Sequence, residues 1–148
     1  MVTGELAAIT TLLRDAAYTE DVGKRLLVAV GELAQVAGWV TSDAGHYDEA
    51  ERYYLAGMYA AHAGGDRAGA ANNLSSLAYQ VSNVGDPKVG LTLAKSALAG
   101  AKRTATATTK ALLSERVAWA RGPRRPGQRR GASPWRGRGG IRASPPRR

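Results

Sequence analysis

Apolar residues recur at spacings of three and four almost to residue 120, and they sort into six amphipathic segments with no alternating, strand-like stretch between them. Over 5–18, Leu6, Ile9, Leu12, Leu13, Ala16 and Ala17 share one helix face. Thr19-Glu20-Asp21 is a polar start for a second helix that carries Leu26, Leu27, Val30, Leu33, Ala34, Ala37 and Gly38 toward Ala44. Gly45 stops it, and 47–63 follows with Ala50, Tyr53, Tyr54, Gly57 and Met58 as its buried set. Gly64-Gly65-Asp66 breaks the pattern before a helix over 67–84 that presents Ala70, Leu74, Leu77, Ala78 and Val81. Gly85-Asp86-Pro87 turns the chain into a fifth helix ending near Ala101, with Pro87 in the first turn, where its missing N–H is harmless. Leu91, Ala94, Ala97 and Leu98 face inward there. After Lys102-Arg103, a last helix over 104–120 uses Ala111, Leu112, Val117 and Trp119, and its Thr-rich opening is the weakest point of the series.

The punctuation repeats forty positions apart: Trp39, Gly45 and Ala50 read against Tyr79, Gly85 and Gly90. An aromatic residue, a turn glycine and a small residue five positions later mark a stacked helix pair, a unit unable to bury its apolar face alone. The expected fold is all-α: a short solenoid of helical hairpins over residues 1–120, followed by a disordered basic tail over 121–148. Stability generally needs three or more such units, so a body with two clear ones should be marginal or dimeric, with apolar surface left exposed.

Ala34, Ala37, Gly38, Gly45, Tyr47, Ala50, Tyr54 and Gly57 resemble a tetratricopeptide repeat, and Leu74, Leu77, Ala78, Gly85, Ala94 and Ala97 resemble the next. Pro87 and Gly90 depart from the usual pattern, and the forty-residue offset exceeds the usual unit of about 34. The phrases Ala37-Gly38-Trp39, Tyr53-Tyr54-Leu55-Ala56, Gly65-Asp66-Arg67 and Gly85-Asp86-Pro87 are further similar to the carboxy-terminal repeat domain of actinobacterial helix-turn-helix transcriptional regulators. That resemblance covers residues 33–119. It implies repeats that serve protein interaction or ligand sensing within a regulator of transcription. One helix stands ahead of the first repeat where those regulators carry a DNA-binding domain, so membership would imply a truncated form lacking it.

Charge divides the chain. Residues 1–120 hold 11 Lys or Arg against 12 Asp or Glu, whereas 121–148 hold ten Arg and no acid, so the net charge of +9 belongs to the tail. Glycine, proline and self-repelling arginine cannot build a core. Arg124, Arg125, Arg129, Arg130, Arg136 and Arg138 are placed to bind phosphates without sequence preference, with Trp135 available to stack on a base. The same abrupt change is also how a GC-rich gene reads in a displaced frame, and the sequence leaves both readings open. The absence of cysteine excludes disulfides and thiolate metal sites. The start lacks a signal peptide's basic and apolar segments, and no apolar run approaches the roughly 20 residues of a membrane span. The reading is a cytoplasmic protein with no membrane partner.

No catalytic set emerges, and the pattern points to no cofactor, no metal and no enzyme. His46 lies at a turn beside Asp48 and Glu49, and His62 near a helix end, both as surface residues. Asp43, Asp48, Glu49 and Glu51 lack the ligand spacing of a calcium loop and suit a solvated helix start. Gly64-Gly65-Asp66-Arg67 lacks the preceding strand and following Lys-Ser/Thr of a phosphate loop. If Gly45 and Gly85 are equivalent, the first helix of each unit turns Glu32, Gln35, Trp39, Ser42 and Asp43, then Asn72, Ser75, Tyr79, Ser82 and Asn83, toward one groove. Aromatic anchors among polar partners suit a protein or peptide ligand. A small-molecule pocket lined by the same rings is the alternative, as is packing of either ring against a neighbouring helix. A homodimer is a further expected partner.

Overall fold

Four of the six described helices start where a side-chain oxygen takes an otherwise unpaired backbone N–H. In the computed structural model, which describes residues 2–15 and 17–122, Thr19 accepts from the Val22 N–H, Asp66 from Gly69, Asp86 from Lys88 and Thr106 from Thr109. Among the described residues the elements are α1 (Val2–Asp15), α2 (Glu20–Asp43), α3 (Tyr47–Ala63), α4 (Arg67–Val84), α5 (Pro87–Ala101) and α6 (Ala107–Arg121), with no strand. Two starts recur at forty residues: α3 and α5 at 47 and 87, α4 and α6 at 67 and 107.

Two boundaries differ from the sequence expectation. The first helix ends at Asp15, and Tyr18 folds back so that its hydroxyl donates to the Leu13 carbonyl and its ring lies over Gly23. The sixth begins at Ala107, because Thr106 serves as its cap while Thr104 and Ala105 still donate to the Ala101 carbonyl in the preceding turn. Gly45 and Gly65 take left-handed backbone at φ 84° and 85°, which suits glycine alone among common residues. Gly85 ends α4 at φ −116°, so it matches Gly45 in position but not in conformation.

Successive helices pack on each other, and in addition α2 touches α4 and α4 touches α6, whereas α3 and α5 do not meet. This order gives a helical-repeat-like stack with α2, α4 and α6 as neighbours along one side. Glycine and alanine set the close approaches. A Cβ at Gly38 would meet the Tyr54 ring at 2.5 Å, and one at Gly31 would stand 2.9 Å from the Ala61 methyl. Tyr54 joins Ala50, Leu77 and Val81 in one core cluster, and Ala71, Ala97, Ala101, Ala105 and Leu113 form another.

The central helix α4 contacts α2, α3, α5 and α6, and it buries polar residues as well as apolar ones. Asn73 Nδ2 donates to the Gly31 carbonyl at 3.0 Å, tying α4 to α2. Burial without such a bond would cost on the order of 1–3 kcal/mol. On α6 the sequence expectation needs correction: Leu112 is exposed, Ala111 likewise, and Leu113 is the fully buried leucine. Tyr53 and Met58 on α3 are half-buried and not part of the innermost core. Among the described residues, no helix is long and apolar enough to cross a membrane.

Candidate functional site

The forty-residue register places an aromatic residue at the same point of three alternate helices: Trp39 on α2, Tyr79 on α4 and Trp119 on α6. Because α2, α4 and α6 are neighbours, the rings form a row. Trp39 and Tyr79 have centroids 5.8 Å apart, and Tyr79 and Trp119 have centroids 5.4 Å apart, both tilted as aromatic pairs prefer. Trp119 Nε1–H donates to Asn83 Oδ1 at 3.1 Å, which fixes the last ring against α4.

Arg116, one turn before Trp119, lays its guanidinium 4.4 Å from the centroid of Tyr79 and 5.8 Å from that of Trp39. With its side chain only 16% exposed, the cation–π attraction is partly shielded from water and is worth about 1 kcal/mol or more. One terminal nitrogen lies 3.3 Å from Glu115, while its buried Nε has no acceptor among the described residues. Beside the row opens a cleft of about 230 Å³, lined among others by Trp39, Ser42, Asp43, Tyr79, Gln80 and Asn83. Gln80 Nε2 donates to the Tyr47 carbonyl, and its Oε1 is buried without a partner among the described residues. At the bottom, burial pushes the Tyr54 phenol well above its ordinary range; the Asp43 charge adds to this, while Arg116 and Ser42 oppose it. Tyr54 is therefore a neutral phenol across the physiological range.

The predicted groove set divides. Trp39, Tyr79, Ser42, Asp43 and Asn83 come together around the row and its cleft. Gln35 spans to α4 by donating from Nε2 to Ser76 Oγ at 3.3 Å, and Glu32 is exposed further along α2. The Asn72 carbonyl accepts from both Ser75 and Ser76. Ser75 and Ser82 do not face a groove. Both are buried in the packing of α4, Ser75 bonded to Asn72 and Ser82 to the Ala78 carbonyl at 2.7 Å, because four helices surround α4.

Arg116 and Trp119 were missed as site residues. Forty positions beyond Tyr79 stands Trp119, so extending the register by one unit would have found the ring. No comparable signal marks Arg116, whose repeat-mates are Val36 and Ser76. His46 precedes α3 without a side-chain capping bond, and both histidines are exposed. Among the described residues no three His, Cys, Asp or Glu side chains are grouped to hold a metal ion. The tail candidates Arg124, Arg125, Arg129, Arg130, Trp135, Arg136 and Arg138 lie outside the described residues. Comparison of the chain with protein-family models, curated proteins and solved structures finds no match.

Proposed function

We propose that the face shared by α2, α4 and α6 binds a peptide or protein segment, and that the chain is an interaction module, not an enzyme. The observation that carries this reading is the row of Trp39, Tyr79 and Trp119 with Arg116 laid across it. Aromatic rings and arginine dominate binding hot spots because they combine large contact area with directed polar groups. The helix order and the forty-residue register support reading the body as a short tetratricopeptide-like solenoid, with this row on the side where its first helices align. Relation to the repeat domains of helix-turn-helix regulators is part of the proposal and rests on the sequence phrases alone. A small-molecule pocket at the rings is the weaker reading, since about 230 Å³ falls below the roughly 300–1,000 Å³ usual for such ligands.

Selection of a displayed peptide library on the intact chain tests this. Enriched peptides should bind the wild type, and Arg116→Val, which installs the residue of the equivalent position 36, should weaken them at least about tenfold, as loss of a hot-spot residue does. Far-ultraviolet circular dichroism should show unchanged helicity. Selected peptides that bind Arg116→Val and Trp119→Leu as well as the wild type would refute the assignment.

A further inference from the structure

The forty-residue register relates two clefts on a different side of the stack. The first, of about 490 Å³, is lined by Met58, Tyr59 and His62 of α3 and by Ala70 and Leu74 of α4, and α5 closes it with Ala97. Forty positions on, Leu98, Ala99, Lys102, Lys110 and Ser114 line a cleft of about 690 Å³ between α5 and α6. The second cleft is thus the same groove one unit later, and among the described residues no helix stands where α5 forms the third wall of the first. The difference in burial follows from this. Ala78 of α4 is 1% exposed beneath α5, whereas its repeat-mate Ala118 is open to solvent.

The density of cations distinguishes the two, since Arg67 is the only Lys or Arg among the residues lining the first. Lys95, Lys102, Lys110 and Arg121 rim the second cleft around Leu98, Val117 and Ala118, and no acidic residue lines it among the described residues. Lys110 replaces Ala70 and Lys102 replaces His62. In the sequence, residues 123–148 carry nine Arg and no acid, the wrong sign to sit against this rim.

We propose that the α5 and α6 cleft docks an acidic amphipathic helix supplied by a partner protein, seated on α6 as α5 is seated on α4. Its apolar stripe would cover Leu98, Val117 and Ala118, and its flanking carboxylates would meet the four cations. This surface is separate from the aromatic row, so the two assignments stand or fall independently.

The probe is a fluorescent synthetic helix of Ala, Leu and Glu with one apolar stripe, compared by anisotropy with a scrambled peptide of equal charge and with a Lys counterpart. The intact chain should bind the striped acidic helix more tightly than the scrambled one and should not bind the Lys form. Lys95→Gln, Lys102→Gln and Lys110→Gln together should weaken binding about fivefold, the loss expected of three exposed ion pairs. Ala118→Glu, at an exposed position, should abolish the preference for the striped helix while leaving any attraction to the Arg-rich segment intact. Equal binding of striped and scrambled peptides, or a preference unchanged by Ala118→Glu, would overturn the proposal. Sedimentation of the chain alone gives the remaining outcome: self-association abolished by Ala118→Glu would identify the occupant as a second copy and overturn the assignment to a different protein.

Discussion

Gly38→Ala is the sharpest probe of how α2 and α3 are held together. The added methyl would stand 2.5, 2.7 and 2.9 Å from Cε1, Cδ1 and Cζ of the Tyr54 ring, all closer than real Cβ contacts. Tyr54 is 2% exposed and walled by Ala50, Leu77 and Val81, so the ring has nowhere to retreat without moving a helix. Overpacking of this kind costs about 1–3 kcal/mol, and simultaneous conflict with three ring atoms places it at the upper end. Alanine regains about 1 kcal/mol of helix propensity over glycine. The net loss is about 2 kcal/mol. In urea unfolding followed by circular dichroism, a slope of about 2 kcal/mol per molar turns this into a midpoint about 1 M lower. Gly100→Ala is the control: no atom lies within 4 Å of its Cβ position, so the same substitution in the last turn of α5 should stabilise by up to about 1 kcal/mol. In a Tyr54→Leu background the Gly38→Ala penalty should largely vanish, since neighbouring sites couple when they share one space. A Gly38→Ala protein as stable as wild type would refute the reasoning.

Leu113→Ala should cost about 2–5 kcal/mol, because its side chain is fully buried among Ala97, Ala101 and Ala105, whereas Leu112→Ala, at 38% exposure, should cost well under half as much. Equal losses in the same urea assay would place α6 in the wrong rotation. Glu51 gives a pH dependence: burial, with the Asp48 charge second, raises its pKa above the ordinary 4.5, against a smaller opposing effect of Arg52. A raised carboxyl pKa means that the fold binds the proton more tightly than the unfolded chain does. Its favourable contribution is present below the ordinary value and lost as pH rises through the folded value. Glu51→Gln should therefore raise the urea midpoint at neutral pH, with the advantage over wild type shrinking as pH falls through the raised folded value toward 4.5 and gone below it; an advantage independent of pH would contradict this.

The helices were legible because their signals are local. Spacing of small and apolar residues set the periods, Gly45 and Gly65 marked the left-handed turns, and Asp66 and Asp86 capped the starts. The errors arose where a local rule met the repeat. Reading Thr104 as the sixth start ignored that Thr106 stands forty positions after the capping Asp66, and the same slip favoured Leu112 over Leu113. Ser75 and Ser82 were assigned to the groove by register, as the residues forty positions after Gln35 and Ser42. Only the tertiary arrangement, with α4 enclosed by four helices, turns those hydroxyls onto their own helix carbonyls.

Departures from the repeat separate packing from recognition. Position 73 is asparagine where its mates 33 and 113 are leucine, and its amide joins three helices: Nδ2 donates to Gly31 and Oδ1, buried without a partner among the described residues, lies against Gly57. Position 116 is arginine where its mates are Val36 and Ser76, and packing does not ask for it. Burying a guanidinium costs several kcal/mol of hydration, against which stand a carboxylate at 3.3 Å and two ring faces. An apolar side chain would fill the space over Tyr79 without that cost. On the proposed reading, the arginine adds to this face a fixed positive charge whose Nε–H has no acceptor among the described residues, held in place by the rings that would also grip a ligand. Stability retained with binding lost in Arg116→Val is the signature that this division predicts, whereas a chain that unfolds on that substitution would place Arg116 with Asn73 among the residues that hold the helices together.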